Sequence, residues 1–251
     1  MQETFNHQKF KKTMEEEKFI NVYRDASQAA AFPALMRKVY LWMTMGLAMT
    51  GLAALYVASV PQWVQAVYGN QLVFWALIIG ELGLVWYLSA RIMRMSFATA
   101  GVLFAAYSLL NGVTLSYIFL AYDAALIMTA FFVTAGMFGA LTLLGFVIKK
   151  DLSGMGRFLM MALVGIIIAS IVNIFLQSST LYWAVTYLGV LLFSGLTVYD
   201  TQKLRMLFYQ YGSEQNDGTM KLALLGSLTL YLDFINLFLF ILRIFSGGNR
   251  N

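Results

Sequence analysis

Between positions 38 and 245 the apolar residues fall into seven long blocks, at 38–60, 71–92, 97–121, 124–148, 157–176, 180–204 and 220–245, separated by short polar turns. A bilayer core of about 30 Å is crossed by about 20 apolar residues in a helix rising 1.5 Å per residue, so each block is long enough to span it. None alternates apolar and polar residues as a barrel strand would, which predicts helices that satisfy their own backbone groups. The chain is therefore expected to be an all-α membrane protein with seven transmembrane helices. Pro33 and Pro61 are the only prolines and both precede the second block, so no proline kink is expected in the later helices.

The flanks differ in character. Residues 1–36 are charged and lack a long apolar run, which excludes a cleavable signal peptide and predicts a soluble, partly disordered arm. The membrane domain is expected over 37–247, with a short polar tail at 248–251.

Composition agrees: 60% of the 251 residues are hydrophobic, 12% are charged, and the mean hydropathy is +0.72. The chain has no cysteine, which excludes disulfides, thiolate nucleophiles and zinc–thiolate sites. Its one histidine, His7, lies in the N-terminal arm, which excludes histidine chemistry within the membrane.

Charge sets the expected orientation. If the N-terminus is cytoplasmic, fifteen Lys and Arg residues, among them Arg37, Lys38, Arg91, Arg94, Lys149 and Lys150, fall on the inside, and the opposite turns carry none. Basic loops beside anionic headgroups also account for the net charge of +5, so the expected partner is the lipid bilayer and not nucleic acid. Arg243 and Arg250 are the exceptions, and the seventh block either spans fully or re-enters.

An ionisable side chain inside the bilayer costs roughly 2.5–3.5 kcal/mol on insertion scales, so each one must recover that cost from partners or function. There are three acids: Glu81 in the second block, Asp200 in VYDTQKLR of the sixth and Asp233 in YLDFINLF of the seventh. If the seventh span begins near Gly226, both aspartates lie in the inner half and meet; if it begins at Met220, the pairing is strained. Carboxylates sharing a site cannot both ionise cheaply, so the pair is expected to share a proton and to titrate in the physiological range. Asn236, three residues after Asp233, is placed to donate to that site. Asn111 and Asn173 are read as interhelical hydrogen-bonding groups, and Gly136, Gly139, Gly189 and Gly195 as points of close helix approach. No phosphate-binding loop, nucleophile elbow or zinc-protease motif is present.

At GLTVYDTQKLR and LTLYLDFINLFLFILRIF, supported by AGMFGALTLLGF, KKDLSGMGRFL and WAVTYLGVLLFSGLTVYD, the chain resembles the Bax inhibitor family, the transmembrane BAX inhibitor motif proteins, and in particular its bacterial inner-membrane branch. The resemblance runs from about 39 to 245. It implies six helices surrounding a central seventh, and a pH-sensitive calcium leak controlled by two aspartates, here Asp200 and Asp233. It further implies a second-helix acid on the ion path, Glu81, and an arginine latch on the pair, for which Arg91 or Arg94 is the match. Calcium would meet Asp200 and Asp233, helped by Glu81 and carbonyls, only weakly and transiently. No cofactor is expected.

Other classes remain in view. Two intramembrane aspartates suggest an aspartyl protease, but Tyr231-Leu232-Asp233 replaces the Gly-x-Gly-Asp of those enzymes and no proline follows, so no enzyme is expected. A proton-coupled transporter and an adaptor that regulates other membrane proteins are the alternatives to a channel.

Overall fold

The computed structural model describes residues 32–148, 150–211 and 216–247, and among these every regular element is helical. Seven helices are long and apolar enough to cross a membrane: α1 (Phe32–Ser59), α3 (Gln71–Arg91, prolonged by a 3₁₀ turn to Arg94), α4 (Phe97–Leu115), α6 (Ala124–Val147), α7 (Ser153–Leu176), α8 (Ser179–Tyr211) and α9 (Asp217–Gly247). Two short helices, α2 (Pro61–Tyr68) and α5 (Tyr117–Ala121), lie at one end of the bundle.

The helix ends follow local chemistry. Asn70 accepts from the Leu72 amide to cap α3, and Ser96 accepts from Thr99 to cap α4. Pro61 opens α2 and Pro33 lies in the first turn of α1, where the missing N–H would have had no partner. Leu35, Met36 and Val39 are buried. Residues 32–36, read from their polarity as part of the arm, thus belong to the first helix. The rest of the arm and the tail at 248–251 lie outside the described residues.

The last two helices outrun their apolar blocks. α8 continues through polar residues to Tyr211, past the expected end at 204, and α9 begins at Asp217. Asp233 therefore sits at the middle of α9, and the longer α8 lets Asp200 meet it without the mismatch that the sequence reading anticipated.

α9 is the most buried of the seven helices. It packs against α8, α6 and α4, and against α1 through Thr50 and Tyr231. α3 packs chiefly on α4, and α7 on α8. Close approach is steric in origin at a few glycines: a Cβ at Gly145 of α6 would stand 2.8 Å from both Thr201 Cβ and the Val198 oxygen of α8, and one at Gly156 of α7 would enter the Tyr199 ring. Gly189 and Gly195 are also close-contact points, against Phe240 and Leu159, as expected. Gly136 and Gly139 are not: nothing lies within 4 Å of a Cβ built on either.

Basic residues gather at one end. There Lys38 Nζ reaches Met220 Sδ at 3.0 Å, and Lys221 Nζ donates to the Met93 oxygen at 3.4 Å. Gln202 straps the α6–α7 turn to α8, donating to the Ile148 and Lys150 oxygens and accepting from the Leu152 amide. At the opposite end the α5–α6 and α7–α8 turns and the end of α9 enclose a cavity of about 950 Å³ whose lining includes Asp123, Gln177 and Gly247. α9 therefore crosses the whole bundle. Arg243 stacks on Tyr182 and Phe240 near that end, with its guanidinium 5.7 and 5.3 Å from the ring centroids.

Candidate functional site: a carboxylate pair between two helices

The interface of α8 and α9 keeps one antiparallel register along its length. Leu204 lies against Gly226, Asp200 meets Asp233, and the Phe193 and Phe240 rings lie 5.8 Å apart. Positions 193, 196, 200 and 204 of α8 and 226, 230, 233, 237 and 240 of α9 recur every three or four residues, which places both aspartates on facing stripes of otherwise apolar side chains.

Asp233 is 4% exposed and Asp200 is partly buried, and their carboxyl groups face each other closely enough for each to act on the other's charge. Two carboxylates cannot hydrogen-bond unless one carries a proton, which it then donates to the other. Away from water the doubly charged state is costly, because repulsion in a low dielectric adds to the lost hydration. One oxygen of Asp233, Oδ2, is buried without a hydrogen-bond partner among the described residues. Among the described residues the cation that acts on Asp200 is Lys203, one turn along α8, whose ammonium lies 6.0 Å from the Tyr199 ring centroid.

The remaining sequence candidates fall elsewhere. Arg91 and Arg94 are exposed at the end of α3 and neither touches the aspartates, so the structure shows no arginine latch on the pair. Asn236 donates to the Leu232 oxygen of its own helix at 2.8 Å and to neither aspartate. Glu81 accepts a 2.8 Å hydrogen bond from Thr114 of α4, and no group of three acids poised for a metal occurs among the described residues, so Glu81 is not a third ligand beside the pair. Asn111 donates within its own helix to Tyr107, and Asn173 accepts from Ser178 to close the α7–α8 turn; neither ties two distant helices together.

Sequence reading missed a second polar centre on the other side of α9. The Tyr231 and Thr50 hydroxyls lie 2.6 Å apart, and Thr50 donates to the Ser108 oxygen at 2.8 Å. Phe104 and Tyr107 stand edge-on to the Tyr231 ring at 5.8 and 5.9 Å. Neutral hydroxyls in apolar runs carry no charge cost, so nothing in the sequence marks them. Gln202 was equally unmarked, although a buried amide in a span must find partners.

The inhibitor of apoptosis-promoting Bax1 family model matches residues 33–251, which includes all seven spans and both aspartates. The chain belongs to this Bax inhibitor family. Its bacterial relatives include the inner membrane protein YbhL of Escherichia coli, 50% identical over 221 residues that cover 88% of this chain and 94% of the relative. An uncharacterized protein of Deinococcus radiodurans is 44% identical over 217 residues, covering 86% and 90% of the two chains. The uncharacterized protein RP147 of Rickettsia prowazekii is 40% identical over 220 residues, with the same coverage. Within this family the described structure supplies a seven-helix bundle whose most buried helix carries one carboxyl of the pair.

Proposed function

We propose that this Bax inhibitor family protein is a pH-sensitive cation leak of the bacterial inner membrane, closed by the Asp200–Asp233 contact. The observation that carries the reading is the meeting of two carboxyl groups on neighbouring spans, with no basic side chain bonded to either one among the described residues. An unneutralised charge in that position is costly, so a shared proton is the cheapest means of holding the two helices together.

The mechanism follows the charge. With one proton shared, α8 and α9 are tied across the bundle. As pH rises the proton leaves, the two carboxylates repel, and four oxygens become available to a divalent cation. As pH falls and both groups protonate, the charge that a cation would meet is gone. Two carboxylates fall short of the six to eight oxygens calcium prefers, so binding is weak and release is fast, which suits conduction. The basic end of the bundle faces the cytoplasm in this reading, which places the N-terminus inside. The match to YbhL supports the inner membrane as its place.

Calcium entry into proteoliposomes, scanned from about pH 5 to 8 with the Asp200→Asn, Asp233→Asn double variant alongside, tests the reading across the range in which a shared carboxyl proton titrates. A flux that rises with pH in the parent and loses its pH response in the variant is the expected outcome. No flux above empty liposomes would overturn the leak. Saturable flux that runs only with a proton gradient would replace it with a proton-coupled transporter.

A further inference from the structure

Gln202 lies two residues past Asp200 on α8 and is 5% exposed. Its amide is spent on the turn between α6 and α7: Nε2 donates to the Ile148 and Lys150 oxygens at 3.1 and 2.9 Å, and Oε1 accepts from the Leu152 amide at 3.0 Å. Ile148 closes α6 and Leu152 opens α7, so one side chain of α8 completes backbone groups at the ends of two other helices. Three residues on, Arg205 donates to the Phe146 oxygen of α6. On the same side of α8, Thr201 stands where Gly145 of α6 leaves room for it.

Two residues along a helix point about 200° apart. Asp200 and Leu204 face α9, where they meet Asp233 and Gly226, while Thr201, Gln202 and Arg205 face α6 and the turn. Both faces share one stretch of backbone, so the rotation at which the turn holds Gln202 is also the rotation at which Asp200 is presented to Asp233. Charges from other helices do not set that meeting among the described residues. α6 carries no titratable side chain, Arg157 of α7 and Arg94 beyond α3 are exposed, Lys38 of α1 reaches Met220, and Tyr107 of α4 stands against Tyr231. On α8 itself Lys203 acts on Asp200.

We propose that Gln202 is the positioning residue of the carboxyl pair: by binding the α6–α7 turn it fixes α8 in the rotation that brings Asp200 against Asp233, and so sets how firmly the shared proton is held. The inference deepens the shared-proton reading and rests on it. A neutral amide bonded to backbone groups makes the same bonds at every pH. α6, the turn and this part of α8 therefore stay together, and the seam that yields when the proton leaves is the one between α8 and α9.

The test uses the full chain in proteoliposomes with Gln202→Leu, which is close in volume and cannot hydrogen-bond. Two titrations are run on it and on the parent: calcium flux, and the infrared band of the protonated pair, assigned by its loss in Asp233→Asn. Both midpoints should fall by about one pH unit, a tenfold weaker hold on the proton, with flux at high pH unchanged. Because the chain has no native cysteine, Lys150→Cys, Gln202→Cys can be joined by a short thiol-bridging reagent. The bridge should return both midpoints to the parent values, and the unbridged form should stay shifted; this pair also serves if Gln202→Leu does not fold. Parent midpoints in Gln202→Leu, with the Leu152 amide newly open to hydrogen exchange, would overturn the inference. So would a flux that falls equally at every pH, the mark of a merely structural role. An infrared midpoint that shifts in the variant while the parent carries no flux would overturn the leak and leave Gln202 as the residue that positions the pair.

Discussion

The two sides of α9 solve the same problem in opposite ways. On the side of α1 and α4, Tyr231 is fully buried and its hydroxyl is completed by Thr50, which in turn meets the Ser108 oxygen. On the side of α8, Asp233 is buried nearly as deeply, yet one of its oxygens has no partner among the described residues and its neighbour is another acid. A completed hydroxyl network in a low dielectric rigidifies and has no charge to change with pH. An incomplete carboxyl pair depends on one proton and responds when that proton leaves. The contrast teaches where to look for a switch in a membrane protein: at the buried polar group that is left unfinished.

The comparison breaks most sharply under substitution of acids. Asp233→Asn should flatten the pH response of calcium flux, whereas Glu81→Gln, whose partner is the neutral Thr114 hydroxyl, should leave that response in place. Equal loss of the response in both would remove the distinction between pair and network. A smaller effect is expected from Tyr231→Phe, which takes away one hydrogen bond and leaves Thr50 bonded to Ser108. It should lower stability by about 1 kcal/mol, by the same amount at pH 6 and pH 8, in thermal unfolding of the detergent-solubilised protein. A pH-dependent loss would place Tyr231 in the switch.

The smallest effect lies outside the spans. Asp151 accepts from the Ser153 amide and hydroxyl at the start of α7, and these bonds hold its carboxyl below the usual range. A lowered carboxyl contributes stability that is present above its unfolded value and lost as pH falls through the folded one. Amide-exchange protection at the first turn of α7, taken relative to the intrinsic rate at each pH, should therefore fall in acid for the parent protein, and Asp151→Ala should show the lower protection at every pH.

Much of this was legible in the chain. Seven spans follow from the lengths of the apolar runs, and the basic end from the asymmetry of Lys and Arg, because the bilayer imposes both. Asp200 and Asp233 stood out because acids are costly in apolar runs, and the structure brings them together. Helix ends were less legible: α8 continues through Gln202, Lys203 and Arg205 after its apolar block ends, since a helix does not stop where the hydrocarbon does. Partner choice was illegible where several partners compete. Asn236 satisfies itself on the Leu232 oxygen, and Arg91 stays exposed at the end of α3, though spacing admitted both. Gly136 and Gly139 look like packing glycines in sequence, because spacing cannot tell a close contact from an open slot.

The most direct test of the shared-proton account is the distance between α8 and α9 as a function of pH. The chain has no native cysteine, so spin labels on Met206→Cys and Asp217→Cys, both exposed positions near the basic end, report that distance alone. The account expects the distance distribution to lengthen between about pH 6 and pH 8 and to stay fixed when Asp233→Asn is added, because the like charges are gone. A distribution that is the same at both pH values in the parent protein, while flux still changes, would contradict the claim that the aspartate pair is what holds the bundle closed.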